Sequence, residues 1–207
     1  MRRPRRAEGQ VSRIVGQSCA ALTVRYRLLR DIGHRQRMQR RHLLCLACAN
    51  ALAVRPARAL EAPESTVVLT LTGRLRSPNR LVDGQPQAVF DMPMIERLPQ
   101  TRFTTRTPWY SQPRTFTGPL LRDVLAAAAA QGSMLRASAL NDYRVDIPME
   151  DAQRFDVVLA HQLDDKPMPV RDKGPLFIIY PFDSRRELRT TVYYTRCAWQ
   201  LKAIDVA

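Results

Sequence analysis

Five apolar or aromatic residues in succession, Leu176 to Tyr180, stand between Gly174-Pro175 and Pro181. A run this short, unbroken by polar residues and closed by turn formers on both sides, predicts a strand buried on both faces. Arg171, Asp172 and Lys173 come directly before it, in a turn that Gly174 can bend without a Cβ clash. Fixed positive charge therefore stands at the mouth of a central strand, a frequent place for a binding site. A solvated turn ahead of a core strand would carry the same residues, so the rest of the chain has to decide between the two.

The chain has 207 residues and a formal net charge of +14. Residues 1–59 hold 14 arginines against only Glu8 and Asp31, whereas from residue 60 onward 19 basic residues face 17 acidic ones. The basic balance is thus a property of the front segment. The remainder is near neutral, which removes the composition argument for nucleic-acid binding. Residues 60–207 have the length of one ordinary domain. Cys19, Cys45 and Cys48 lie in the front, and Cys197 alone belongs to the domain, so neither an internal disulfide nor a structural zinc site can form there. Cys45 and Cys48 sit in a Leu/Ala run without strand–helix context and read as filler.

The stretch MQRRHLLCLACANALAVRPARALEAPE from Met38 has the parts of an export signal. Arg40 and Arg41 are followed by an apolar run from Leu43 to Val54, too short for a membrane span, and then by Ala57-Arg58-Ala59, with small residues where an export peptidase reads. Arg40-Arg41 also admits the twin-arginine route beside the ordinary one. The expected organisation is an upstream extension at 1–37, from a start codon assigned too early, a signal peptide at 38–59 and one domain at 60–207. An Arg-rich organellar transit peptide is the competing reading of the front. The expected location is periplasmic or secreted, with no membrane span in the mature protein.

Within the domain, TVVLTLT ending at Gly73 predicts the first strand, and Pro78-Asn79 and Asp83-Gly84 mark turns around a second. Asp91 is placed to cap a short helix that Pro99 stops. Pro108 keeps TRFTTRTPWY extended. Thr117-Gly118-Pro119 is expected to open the clearest helix, with Gly132 closing it. Hairpins are predicted around Asn141-Asp142 and Asp164-Asp165. Asp183-Ser184 is expected to cap a helical segment, and CAWQLKAIDV to form one last strand. The fold class is α+β.

No nucleophile elbow, paired histidines, Walker loop or Gly-x-Gly-x-x-Gly occurs in the domain, which leaves hydrolase, zinc and nucleotide readings without a motif. Its only histidine, His161, falls in an apparent strand and reads as structural. What remains is a set of cations in predicted turns, Arg102, Arg106, Arg114, Arg171, Lys173, Arg185 and Arg186, suited to an anionic ligand.

TFTGPLLRDVLAAA resembles the glycine-plus-helix segment of the sulfite oxidase-type molybdopterin-binding domain. ALNDYRVDIPMEDA is similar to its DGY…P…A hairpin, with Asp142 and Tyr143 kept. KPMPVRDKGPLFIIYP is similar to its G-x-P-L…G-G-P-L-R segment, and CAWQLKAIDV to its closing strand. The resemblance implies the sulfite oxidase-type fold, with mixed short-strand sheets and a few helices, and a molybdopterin cofactor. In the family's catalytic members a cysteine thiolate binds molybdenum just before the glycine-plus-helix segment. Here that region reads FTTRTPWYSQPRTFTG, with Thr105 near the position, and Phe177 replaces the arginine after Pro-Leu. A threonine hydroxyl is a poor substitute for a soft thiolate.

The resemblance implies a binding site made by Arg171, Lys173, Thr105, Arg106, Trp109, Asp142 and Tyr143; with the cysteine absent, no metal is expected to be held by the protein. It also implies that the helix after Thr117 and the RDKG turn are neighbours around an anion. The resulting expectation is an exported, non-catalytic module that binds an anionic or pterin-type ligand, or an envelope partner protein. A molybdopterin-dependent oxidoreductase with altered metal ligation is the alternative, and a structural or assembly protein of the envelope is the third.

Overall fold

The computed structural model describes residues 60–207; the expectations for the extension, the signal peptide and the Cys45/Cys48 pair lie outside the described residues. Leu176 to Tyr180 are completely buried, as the apolar run requires. Strand β11 (Phe177–Ile179) is the middle of a three-stranded antiparallel sheet, between β8 (Val158–Ala160) and β12 (Ala198–Trp199).

A six-stranded sheet carries most of the remaining core. Its members are β1 (Val67–Gly73), β2 (Arg80–Val82), β3 (Gln85–Asp91), β6 (Met134–Ala139), β7 (Arg144–Pro148) and β13 (Leu201–Val206), in the order β2-β3-β1-β13-β6-β7. Only β1 and β13 pair in parallel. Alternation along β1 sends Leu69 and Leu71 into the core, the period-2 signature of a sheet covered on one side. A third sheet holds β4 (Gln100–Thr105), β5 (Arg114–Pro119), β9 (Gln162–Leu163) and β10 (Lys166–Pro167), ordered β10-β9-β5-β4. Four short helices complete the domain: α1 (Met92–Arg97), α2 (Leu121–Ala127), α3 (Met149–Arg154) and α4 (Thr191–Thr195). The class is α+β.

Local chemistry explains several boundaries. Asp91 accepts the Met94 amide at 2.9 Å, capping α1, and its other oxygen takes the amides of Glu64 and Ser65 at 2.7 and 2.9 Å. Asp164 and Asp165 adopt φ of 48° and 62°, the pair of left-handed residues that a two-residue hairpin needs between β9 and β10.

Six expectations need correction. Thr117-Gly118-Pro119 is the end of β5 rather than a helix cap, and α2 starts only at Leu121. Gly118 is there because β8 crosses close by: a Cβ would collide with the Leu159 carbonyl oxygen. Gly132 likewise lies beyond the helix end, against the backbone of Ala207. CAWQLKAIDV is split between two sheets, β12 and β13, at Gln200 with φ of 52°. His161 lies between β8 and β9 rather than inside a strand. Asp183 caps no helix, because its carboxylate is used elsewhere, and the segment after it is a three-residue 3-10 turn, Arg186–Leu188. At the RDKG turn the left-handed residue is Lys173, with φ of 72°, while Gly174 is needed because a Cβ would strike the Met168 carbonyl oxygen.

Candidate functional site

Of the seven residues singled out by the sequence, Trp109, Tyr143 and Lys173 meet at a row of aromatic rings. Trp109, half-buried, lies 6.3 Å from Phe182 and 6.4 Å from Tyr194, and also 5.8 Å from Phe177 and 5.6 Å from Trp199. Trp199 in turn stacks nearly parallel to Tyr143, with centroids 6.5 Å apart. The rings therefore connect two places, one beside Thr105 and one around Trp199.

The first place is a cleft of about 330 Å³ lined by Arg106, Thr107, Pro108, Phe182, Asp183, Arg189 and Tyr194. That volume lies near the lower end for small-molecule sites. Phe182 and Tyr194 meet edge to face at 4.7 Å and form its aromatic wall. Thr105 ends β4 at the back of the cleft with no exposed surface. Its hydroxyl accepts the Asp183 amide at 3.1 Å and lies 3.4 Å from both the Asp183 carboxylate and the Arg106 carbonyl, either of which it can donate to. The carboxylate of Asp183 also takes the Arg106 amide at 2.7 Å and pairs with Arg189 at 3.0 Å. Arg189 donates from Nε to the Phe182 carbonyl, so its fork is held in place. The Arg106 guanidinium is exposed and has no carboxylate partner among the described residues.

The second place is the Trp199 face. Lys173 holds its ammonium 5.0 Å above the Trp199 ring and 5.5 Å from the Tyr110 ring, an arrangement in which the ring faces attract the charge. Tyr143, 41 % exposed, donates its hydroxyl to the Thr195 carbonyl at 2.6 Å, and burial pushes its pKa up. Asp142, at the hairpin tip with φ of 63°, is 3.2 Å from the Lys202 ammonium. Arg171 is exposed on the 3-10 turn Val170–Asp172. The start of α2 is not beside this turn: Leu120 bridges to Val158, which pairs with Ile179, at the opposite end of β11 from Lys173. The first amide of α2, on Leu121, is already bonded to the Val157 carbonyl.

Two residues that matter here were not placed at a site by the sequence. Asp183 and Arg189 reach Thr105 and the cleft from a distant stretch, Asp183 lying 78 positions after Thr105. Trp199, quoted only as part of a closing strand, turns out to join the two places. Larger hollows lie elsewhere: an apolar one of about 550 Å³ between Leu60, Phe90, Met94 and Leu98, and an open one of about 540 Å³ by Arg74 and Arg76. Neither touches any of the seven residues.

The donors present do not suit molybdenum. The cleft offers hydroxyl, amide and carboxylate oxygens, the last already engaged by Arg189, where a soft thiolate is what such a centre prefers. Cys197 is 2 % exposed, and burial pushes its thiol pKa far up, so it holds no thiolate to give. Among the described residues no group of three or more His, Cys, Asp or Glu is placed to hold a metal ion.

No curated protein matches the chain. Residues 93–182 match the profile of the oxidoreductase molybdopterin binding domain. That span contains three of the four stretches that carried the resemblance, together with the cleft residues other than Asp183, Arg189 and Tyr194. Over residues 93–182, the chain is similar to the sulfite oxidase-type molybdopterin-binding domain family.

Proposed function

We propose that the protein is an exported ligand-binding module of this family, whose cleft beside Thr105 takes an anionic small molecule or a pterin phosphate without ligating molybdenum. The observation that supports this most is the engagement of Thr105. Its hydroxyl is tied to Asp183, Asp183 is tied to Arg189, and the position works as a clamp joining β4 to the loop after β11. The exposed Arg106 fork and the held Arg189 fork supply the positive charge, while Tyr194 and Phe182, both packed against Trp109, supply apolar walls. Guanidinium forks match phosphate and carboxylate oxygens in pairs. Export rests on the leader read at residues 38–59, and a periplasmic or secreted site follows from it.

Calorimetric titration of the purified protein with phosphate, sulfate and a pterin phosphate tests the proposal. The expected result is binding of at least one of them, weakened in Arg106→Ala by about 1–3 kcal/mol, the range for a hydrogen bond to a charged group. Fold stability should hardly move, because an exposed surface charge contributes roughly 0–1 kcal/mol. Equal affinities in the wild type and the variant would remove the cleft from consideration.

A further inference from the structure

Four of the six large apolar side chains most exposed in the domain lie on one face. Leu140 is 47 % exposed, Tyr143 41 %, Val170 50 % and Val192 53 %. Hydrogen bonds and one ring contact link the segments that carry them. Gln200 donates its side-chain amide to the Val170 carbonyl at 2.6 Å and accepts the Leu140 amide at 2.8 Å. Trp199, next to it, stacks on Tyr143, whose hydroxyl reaches the Thr195 carbonyl; the Thr195 hydroxyl turns back to the Val192 carbonyl at 2.9 Å. Surface hydrophobes scattered singly are ordinary, but a contiguous aromatic and apolar patch marks an interaction surface.

The charges at its edge give the sign of what would cover it. Lys173 sits over Trp199 and Arg171 stands one turn earlier, and neither has a carboxylate partner among the described residues. Asp142 is held by Lys202, which leaves Asp172 as the acid set against those two cations. The backbone under the patch is fixed rather than loose: the Gln200 amide donates to the Lys173 carbonyl at 3.0 Å. Aromatic residues on a rigid base with a cationic rim are the usual composition of a protein-binding hot spot.

We infer that the Trp199 face docks a partner protein through an acidic segment that carries apolar anchors. The apolar anchors cover Val170, Leu140, Tyr143 and Val192, and the acidic groups approach Lys173 and Arg171. This goes beyond the reading of the cleft and does not depend on it, because the cleft ligand and the partner use different cations.

The test uses the full purified chain and a labelled synthetic peptide alternating Glu with Leu and Trp, beside its counterpart with Lys in place of Glu. The acidic peptide should bind and the basic one should not. Affinity should fall with added salt and drop by about tenfold or more in Val192→Asp and in Lys173→Glu. Leu140→Ser is a second, milder apolar variant, and far-UV circular dichroism confirms that each variant is folded. Arg106→Ala should leave peptide affinity unchanged, so failure here is distinct from failure of the cleft reading. Four results would overturn the inference: equal binding of both peptides, wild-type affinity in the folded variants, binding only to phosphatidylglycerol vesicles, or a patch-dependent dimer in light scattering.

Discussion

Thr105 is a buried hydroxyl that serves three neighbours, the Asp183 amide, the Asp183 carboxylate and the Arg106 carbonyl. Removing the hydroxyl while keeping the shape leaves the Asp183 amide without its acceptor. Thr105→Val should therefore cost about 1–3 kcal/mol, and Thr105→Ser much less, in urea unfolding. Equal loss in both would mean that packing of the methyl group, not the clamp, is what matters. His161 offers a pH test. The Gln100 side-chain amide donates to the carbonyls of Ile95, Glu96 and Leu98, so its oxygen accepts from the His161 Nε2–H at 3.0 Å, a bond that the neutral and the protonated ring both make. Burial pushes the imidazole pKa below its ordinary value, only partly opposed by Glu96. The folded protein then binds fewer protons than the unfolded chain. The stability contributed is fully present above the unfolded value of about 6.5 and is lost as pH falls through the folded value below it. Melts from neutral to mildly acidic pH should show a shallower loss in His161→Gln than in the wild type; parallel curves would contradict this. At this scale the sequence is readable where partners are local. Asp91 is a cap three residues from its amide, and Asp164-Asp165 is a turn by itself. Asp183 reads as a cap in the sequence and is not one, because its partners Thr105 and Arg106 come from another strand.

At the scale of elements, the apolar run at Leu176–Tyr180, the strand ending at Gly73 and both hairpins follow from residue pattern alone, since period and turn chemistry decide them. The start of α2 does not. Thr-Gly-Pro is good cap chemistry, but β5 runs on through these residues because β4 pairs with them, Gln100 opposite Pro119 and Thr101 opposite Gly118. Tertiary pairing wins over a local signal here, and the glycine serves close approach rather than capping. Gly118→Ala should accordingly destabilise by about 3 kcal/mol or more, since backbone meets backbone and neither side can yield. A near-neutral effect in denaturant melts would mean that β8 can retreat from β5. The division of CAWQLKAIDV has a similar cause. Gln200 turns the chain so that β12 can pair with β11 while β13 pairs with β1 and β6, and a glutamine announces no such break.

For the whole molecule, the residues expected at a site fall at two places joined by Trp109 and Trp199 rather than around one helix start. Sequence reasoning could not separate these places because the joining ring contacts cross from the loop after β4 to β12. The domain should fold without metal: with a chelator in excess, its thermal melt should match the untreated one, and loss of the folded signal would contradict that. The central claim is that a molybdopterin-type domain here holds its ligand through arginine and aromatic groups, with Thr105 clamped and not ligating. The most direct measurement is the molybdenum content of the full protein purified from cells that make molybdenum cofactor in abundance. The account predicts molybdenum far below one atom per folded chain, with a melt identical to that of protein from molybdenum-starved cells. Stoichiometric molybdenum, retained through purification, would contradict it.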